Sequence, residues 1–165
     1  MPKPGRLVVR HVPWAHPDAQ LLRDAMAAEV GPRYAARRTL LPPEASGHND
    51  VDPETVHATL VAYSEDGAPV GHAALRWNDG ELELKRMFVA AQSRGTGVAQ
   101  ALLRASEESA SAAGSARLIL QTGDLQPDAV RLYEKEGYHR IPRFPPYTHE
   151  LLAYSNCFAK NLLAL

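Results

Sequence analysis

The run "ELELKRMFVAAQSRGTGVAQALLRA", residues 81–105, holds two hydrophobic periods in succession. Over 81–89 apolar and polar residues alternate, which is the period of a strand. From about residue 96, Val98, Ala101, Leu102 and Ala105 recur at spacings of three and four, the period of a helix with one buried face. Arg94, Gly95, Thr96 and Gly97 stand between them. A strand that turns through Arg-Gly-Thr-Gly directly into a helix needs a sheet to join and a further strand beyond the helix. "ARLILQT" (116–122) supplies that strand, and a strand-helix-strand unit allows parallel pairing.

The segments upstream read differently. "HATLVAYS" (57–64) and "PVGHAALRW" (69–77) are strand-like and joined across "EDGA", and "NDG" (78–80) makes the next tight turn. Such hairpins pair antiparallel. "RLVVRHV" (6–12) reads as a first strand. "HPDAQLLRDAMAAEVGP" (16–32) reads as a helix, with Pro17 at its start, Gly31-Pro32 at its stop and Leu21, Leu22, Ala25 and Met26 on one face. Residues 33–55 read as a short helix and an irregular, mobile loop. "PDAVRLYEKEG" (127–137) is a further helix, and "YHRI" and "NCFAKNL" close the chain as strands. The expected fold is α/β: a mixed, mostly antiparallel sheet of about seven strands with helices on both faces.

The chain of 165 residues fits one domain, 1–165. A net charge of -1 gives no electrostatic case for nucleic acid or an anionic membrane. No apolar run is long enough to span a bilayer, and charge and proline interrupt any signal-peptide core in "MPKPGRLVVRHVPW". The single Cys157 excludes an intrachain disulfide framework. A cytoplasmic protein is expected.

Glycines at 95 and 97 let backbone amides approach a ligand closely, and a helix N-terminus presents unpaired N–H groups with about half a positive charge. Arg94 adds a full charge. A phosphate or pyrophosphate fits this turn; the bland alternative is a tight turn with glycines for geometry alone. A Walker loop would need Gly-Lys-Ser/Thr, and a dinucleotide fingerprint would need glycine where Gln100 stands.

"ELKRMFV" followed by "QSRGTGVAQALL" resembles the acyl-CoA-binding motif of the GNAT N-acetyltransferases, Gln/Arg-x-x-Gly-x-Gly/Ala, and "PDAVRLYEKEGY" (127–138) is similar to that family's later helix motif. The two lie in the family's order, the resemblance spans about 55–162, and the first strand and helix match as well. It implies a sheet splayed after the fourth strand, with acyl-CoA in the gap. The backbone of Met87, Phe88 and Val89 would bind the pantetheine arm. The amides of Arg94, Gly95, Thr96, Gly97, Val98 and Ala99 would hold the pyrophosphate, with Gln92 beside them. Where the family often has Asn at a pantetheine contact, this chain has Gln126.

Acyl transfer to an amine needs a neutral amine, a stabilised oxyanion and a leaving thiolate. The resemblance makes Tyr133 the acid for the thiolate, though a phenol near about 10 is a weaker acid than a thiol near about 8.5, so a hydrogen bond is the closer description. The alternative is a core-facing ring. An N–H at Val89 or its neighbour, at an unpaired strand end, is the oxyanion donor. Glu83, where the family often has Glu, is the expected base through water; it could instead bind a cationic substrate or pair with an arginine. His72 is a second candidate for base or substrate contact, against a hydrogen-bonded core histidine. Phe144, Tyr147 and Tyr154 are read as an apolar or cation-binding wall and Glu150 as its counter-charge, with His149 nearby; alternatively the rings only cover the sheet. His11, His16, His48, His57 and His139 show no metal spacing. Cys157 reads as a buried thiol rather than a ping-pong nucleophile.

The sequence thus points to transfer of acetyl from acetyl-CoA, without a metal, to a primary amine of a small molecule in a ternary complex. Acetylation of a protein lysine or N-terminus, or a non-catalytic acyl-CoA-binding module, are the alternatives. The expected partner is the small-molecule amine, not nucleic acid or membrane, and a homodimer is allowed.

Overall fold

The computed structural model describes residues 5–162. The strands are β1 (Val8–Val12), β2 (Val56–Tyr63), β3 (Pro69–Asn78), β4 (Glu81–Val89), β5 (Arg117–Gly123), β6 (His139–Ile141) and β7 (Ser155–Asn161). The helices are α1 (Pro17–Arg38), α2 (Val98–Ala112) and α3 (Pro127–Lys135). One seven-stranded sheet has the order β1-β2-β3-β4-β5-β7-β6. Every pairing is antiparallel except β4 with β5. The β3–β4 hairpin turns at Asp79 and Gly80, both with positive φ, as the sequence "NDG" requires.

Alternation along β2 sorts the core onto two faces. Leu60 and Ala62 join Leu75, Leu82, Leu84, Leu118 and Leu120 under Val98, Leu102 and Leu103 of α2 and Tyr133 of α3. Val61, with Phe88, packs instead against Ala19 and Leu22 of α1. Period-2 strands between two amphipathic helices therefore place helices on both faces, as expected.

One expectation is corrected. Gly31-Pro32 does not stop the first helix: α1 runs on through Pro32 to Arg38, so no separate short helix follows. Proline at 32 removes one helical N–H and costs on the order of 3 kcal/mol. Contacts beyond it offset this cost. The Tyr34 hydroxyl accepts from the Leu125 N–H and donates to Gln126 Oε1, and Arg37 forks onto the Asp124 carboxylate at 2.5 and 3.2 Å. A Cβ on Gly123 would run into the Tyr34 hydroxyl, so glycine there is what lets α1 reach across the end of β5.

β4 and β5 pair over only three residues, Leu82↔Leu118, Glu83↔Ile119 and Leu84↔Leu120. β4 continues to Val89 against β3, and β5 continues to Gly123 against β7. The sheet thus opens after Leu84. The register of β3–β4 shifts between His72 and Ala74, opposite a bulge at Arg86, whose φ is 56°. The bulge bends β4 away from β5 at the point where they part.

Candidate functional site

The opening between β4 and β5 is a cleft of about 700 Å³. β4 contributes Leu84 through Val89 and β5 contributes Gln121, Thr122 and Gly123. α1 supplies one wall, including Arg23, Glu29 and Tyr34, and α3 supplies Ala129, Leu132 and Tyr133. His48, Asn49 and Val51 come from the 39–55 loop, and Tyr154 from the segment before β7.

At one end lies the glycine turn. Ala91–Ser93 form a single 3-10 turn; Gly95 and Gly97 then take φ of 77° and 90°. A Cβ at either position would meet nothing within 4 Å, so backbone conformation and not crowding demands glycine. Gly97 caps α2 without any side-chain hydrogen bond to the first helical N–H groups. Val98 is buried and seats the helix on the sheet, while Ala99 lines the cleft. Gln92, Gly95 and Thr96 are exposed on the turn. Arg94 is placed differently from the simplest expectation. Its guanidinium bonds Glu29 of α1 at 2.8 and 2.6 Å and the Val89 carbonyl at 3.0 Å, so its charge braces the turn against α1. The Arg94 N–H, expected among the pyrophosphate donors, is bonded to the Ala91 carbonyl at 3.4 Å, so the amides available at the turn begin at Gly95.

Met87, Phe88 and Val89 line the cleft along the splayed part of β4. Gln126 lies opposite, its side-chain oxygen held by Tyr34 at 3.2 Å. Tyr133 is 6% exposed and lines the same cleft, and burial alone pushes its phenol well above the ordinary value.

The remaining candidates lie outside the cleft lining. Glu83 is fully buried: Arg76 Nε and Asn78 Nδ2 donate to one carboxylate oxygen at 2.9 and 3.1 Å, and the Tyr147 hydroxyl donates to the other at 2.6 Å. Tyr147 is fully buried too, at the centre of this network, where its oxygen accepts from Arg76 at 3.1 Å and from Lys85 Nζ at 2.9 Å. Phe144 packs edge-on against it with ring centroids 5.4 Å apart. Asn78 donates to the Pro145 carbonyl, and Arg143 to the carbonyls of Tyr147 and His149, which fixes the proline-rich segment over the sheet. Glu150 is exposed in a 3-10 turn.

His72 is fully buried between Arg23 and the β4 bulge. The Arg86 carbonyl can only accept, so Nδ1 carries the proton, and Nε2 then accepts from Arg23 at 2.9 Å. Burial, with Arg23 and Arg86 nearby, brings its pKa down to about 4, so the ring is neutral and bound on both nitrogens. Cys157 is buried, its thiol pushed up by burial. Among the described residues no group of three or more His, Cys, Asp or Glu is placed to hold a metal ion, and no helix is long and apolar enough to cross a membrane.

Sequence reasoning missed Lys85. It shares a strand face with Glu83, is 5% exposed, and lines the cleft where Glu83 does not. The signal was the period-2 pattern itself: "ELELKRMFV" puts a second charged side chain on Glu83's face.

A seven-stranded sheet opened between its fourth and fifth strands is the fold of acyl-CoA N-acyltransferases. A Klebsiella pneumoniae protein described as a candidate acyl-CoA N-acyltransferase superposes with a TM-score of 0.75 at 26% identity, over 94% of this chain and 97% of that one. A GNAT-family acetyltransferase from Elizabethkingia anophelis, solved with acetyl-CoA bound, shares the fold with a TM-score of 0.64 at 16% identity, over 94% and 98% of the two chains. The family model described as Acetyltransferase (GNAT) family matches residues 22–138, and the chain belongs to that family. An IAA acetyltransferase of Azospirillum brasilense is 39% identical over 77 residues, 47% of this chain and 50% of that protein. An acetyltransferase of Agrobacterium fabrum is 36% identical over 83 residues, 50% and 56% of the two. The aligned part thus spans about half the length of these curated relatives.

Proposed function

We propose that this chain is an N-acetyltransferase that moves an acetyl group from acetyl-CoA to a primary amine of a small molecule, by direct attack within a ternary complex. The observation that carries the reading is the cleft itself. It joins, in one continuous space, the uncapped N-terminus of α2, the unpaired stretch of β4 and the Tyr133 ring. The α2 amides from Gly95 to Ala99 bind the pyrophosphate. The pantetheine arm adds to β4 along Met87–Val89, where β5 has left the strand without a partner on that side. The thioester then lies where β4 N–H groups at Val89 or its neighbour meet the developing oxyanion. Tyr133 donates a hydrogen bond to the departing thiolate; with its pKa raised by burial, it remains a phenol throughout. The acceptor enters on the side closed by His48, Asn49, Val51 and Tyr154. No covalent acyl-enzyme is needed. Cys157 is buried and does not line the cleft, which supports direct attack over a ping-pong route, and a buried free thiol suits a reducing, cytoplasmic setting.

The test is release of free CoA from acetyl-CoA across a panel of primary amines, with both concentrations varied. Intersecting double-reciprocal lines are expected. Parallel lines would establish a ping-pong route. Absence of release with every small amine, but release with lysine peptides, would move the acceptor to protein; absence with both would leave a binding module.

A further inference from the structure

Lys85 stands on β4 one residue beyond Leu84, the last residue to pair with β5, and its side chain lines the cleft that also holds Tyr133. Its Nζ donates to Asn49 Oδ1 at 2.7 Å and to the Tyr147 hydroxyl at 2.9 Å. That hydroxyl sends its own proton to Glu83 at 2.6 Å, so toward Lys85 it offers only a lone pair. Two of the three free positions on a tetrahedral nitrogen are thereby used, and one is left for either a third proton or a lone pair. Among the described residues no carboxylate pairs directly with Lys85: the Glu83 carboxylate is bound by Arg76, Asn78 and Tyr147. The charged and titratable groups around it are Glu83 on its own strand, Arg76 on β3, Arg86 at the bulge, Tyr147 over the sheet, and His48 and Asp50 from the 39–55 loop. Burial, with Arg76 and Arg86 opposing Glu83 and Asp50, lowers the ammonium to about 7.

We propose that neutral Lys85 is the general base of the transfer, a role that rests on the acetyltransferase reading above. Its Nζ lone pair takes a proton from the acceptor's ammonium. The freed amine attacks the thioester carbonyl, an N–C bond forms and the C–S bond breaks. The second proton of the amine goes to the CoA thiolate beside Tyr133, and the proton on Lys85 passes to water as product leaves. Asn49 and Tyr147 take the two N–H groups of neutral Lys85, which leaves its lone pair for the acceptor. Glu83 is then a positioning residue: it orients Tyr147 and touches no substrate.

The experiment begins with the intact protein carrying lysine labelled with carbon-13 at Cε. The sequence has four lysines, Lys3, Lys85, Lys135 and Lys160, so Lys85→Arg identifies one resonance by its loss. That resonance is expected to titrate near about 7; titration above about 9 for all four would overturn the proposal. Arginine keeps the charge but does not release its proton near neutrality. In Lys85→Arg, kcat with the best primary amine of the panel should fall on the order of 100-fold, and the rise of kcat through pH 7 should vanish. Acetyl-CoA affinity by calorimetry should stay within about twofold of wild type. A variant that keeps kcat and its pH profile, or that raises only the acceptor's KM, shows Lys85 to be a binding residue and overturns the base role. A wild type that releases no CoA with any amine overturns the acetyltransferase reading first and the base role with it.

Discussion

Tyr133 cannot give its proton away cheaply. Its phenol begins near about 10, above a thiol near about 8.5, and burial in the cleft raises it further. In the proposed transfer its contribution is therefore a hydrogen bond to the thiolate as charge develops, a strong one because the acceptor is ionised. Tyr133→Phe should lower kcat by about 10- to 100-fold and leave the affinity for acetyl-CoA nearly unchanged. Wild-type kcat in that variant would reduce the ring to packing. His72 carries a different consequence, for stability. Its pKa is about 4 in the folded chain and about 6.5 when unfolded, so between these values the unfolded chain binds more protons. The stability it supports is complete above pH 6.5 and is lost as pH falls through 4. Urea midpoints at pH 7 and 4.5 should differ by a contribution of about 2–3 kcal/mol from this ring. His72→Gln keeps a donor and an acceptor but cannot titrate, so the drop should shrink by that amount; an unchanged drop would assign it to other groups.

α2 owes its position to a residue on another element. A Cβ at Gly71 of β3 would lie 2.7 Å from Val98 Cγ1, 2.8 Å from Leu102 Cδ1 and 3.3 Å from the Phe88 carbonyl. Glycine at 71 lets the first turn of α2 rest on the sheet, and that turn carries the amides proposed to bind pyrophosphate. Gly71→Ala should cost about 1–3 kcal/mol by overpacking, read from urea midpoints, and should weaken acetyl-CoA binding as the helix end is pushed outward. A variant as stable as wild type would show that α2 has room to spare. The elements themselves were largely visible in the sequence. The "NDG" turn, the alternation in 81–89 and the glycines at 95 and 97 are local signals, and local chemistry decides those structures. The end of α1 was not visible, because Gly31-Pro32 is a genuine local stop. It is overruled by Tyr34 and Arg37 gripping residues 124–126, about ninety residues away. The site divides in the same way. The glycine turn and Tyr133 belong to motifs, whereas the burial of Lys85 depends on Asn49 and Tyr147, which lie in segments with no period to read.

At the scale of the whole molecule the sheet is two halves, β1–β4 and β5–β7, joined through three residue pairs of β4 and β5. Beyond these pairs they share the core under α2, the Arg117–Glu81 ion pair at the closed end, and polar contacts around the cleft's rim: Tyr34 and Arg37 of α1 to the 124–126 loop, Arg76 and Glu83 to Tyr147, and Asn78 to Pro145. A ligand lying between β4 and β5 touches both halves at once and binds only when they are folded together. It must then stabilise the whole chain by mass action, by about 2.7 kcal/mol at a hundredfold excess over its dissociation constant. For a chain of this size that corresponds to a rise in Tm of about 5–10 °C. Acetyl-CoA should produce such a rise, increasing with the logarithm of its concentration. Gly97→Asp supplies the control. It places a carboxylate against the proposed pyrophosphate site at a position with φ of 90°, so its Tm without ligand should fall modestly, and the rise on adding acetyl-CoA should disappear. The size of the ligand-induced rise is the decisive quantity, because strain at 97 lowers both starting points without creating or removing a binding site. An equal rise in the two proteins would place acetyl-CoA away from the α2 N-terminus, and no rise in either would separate this cleft from acyl-CoA altogether.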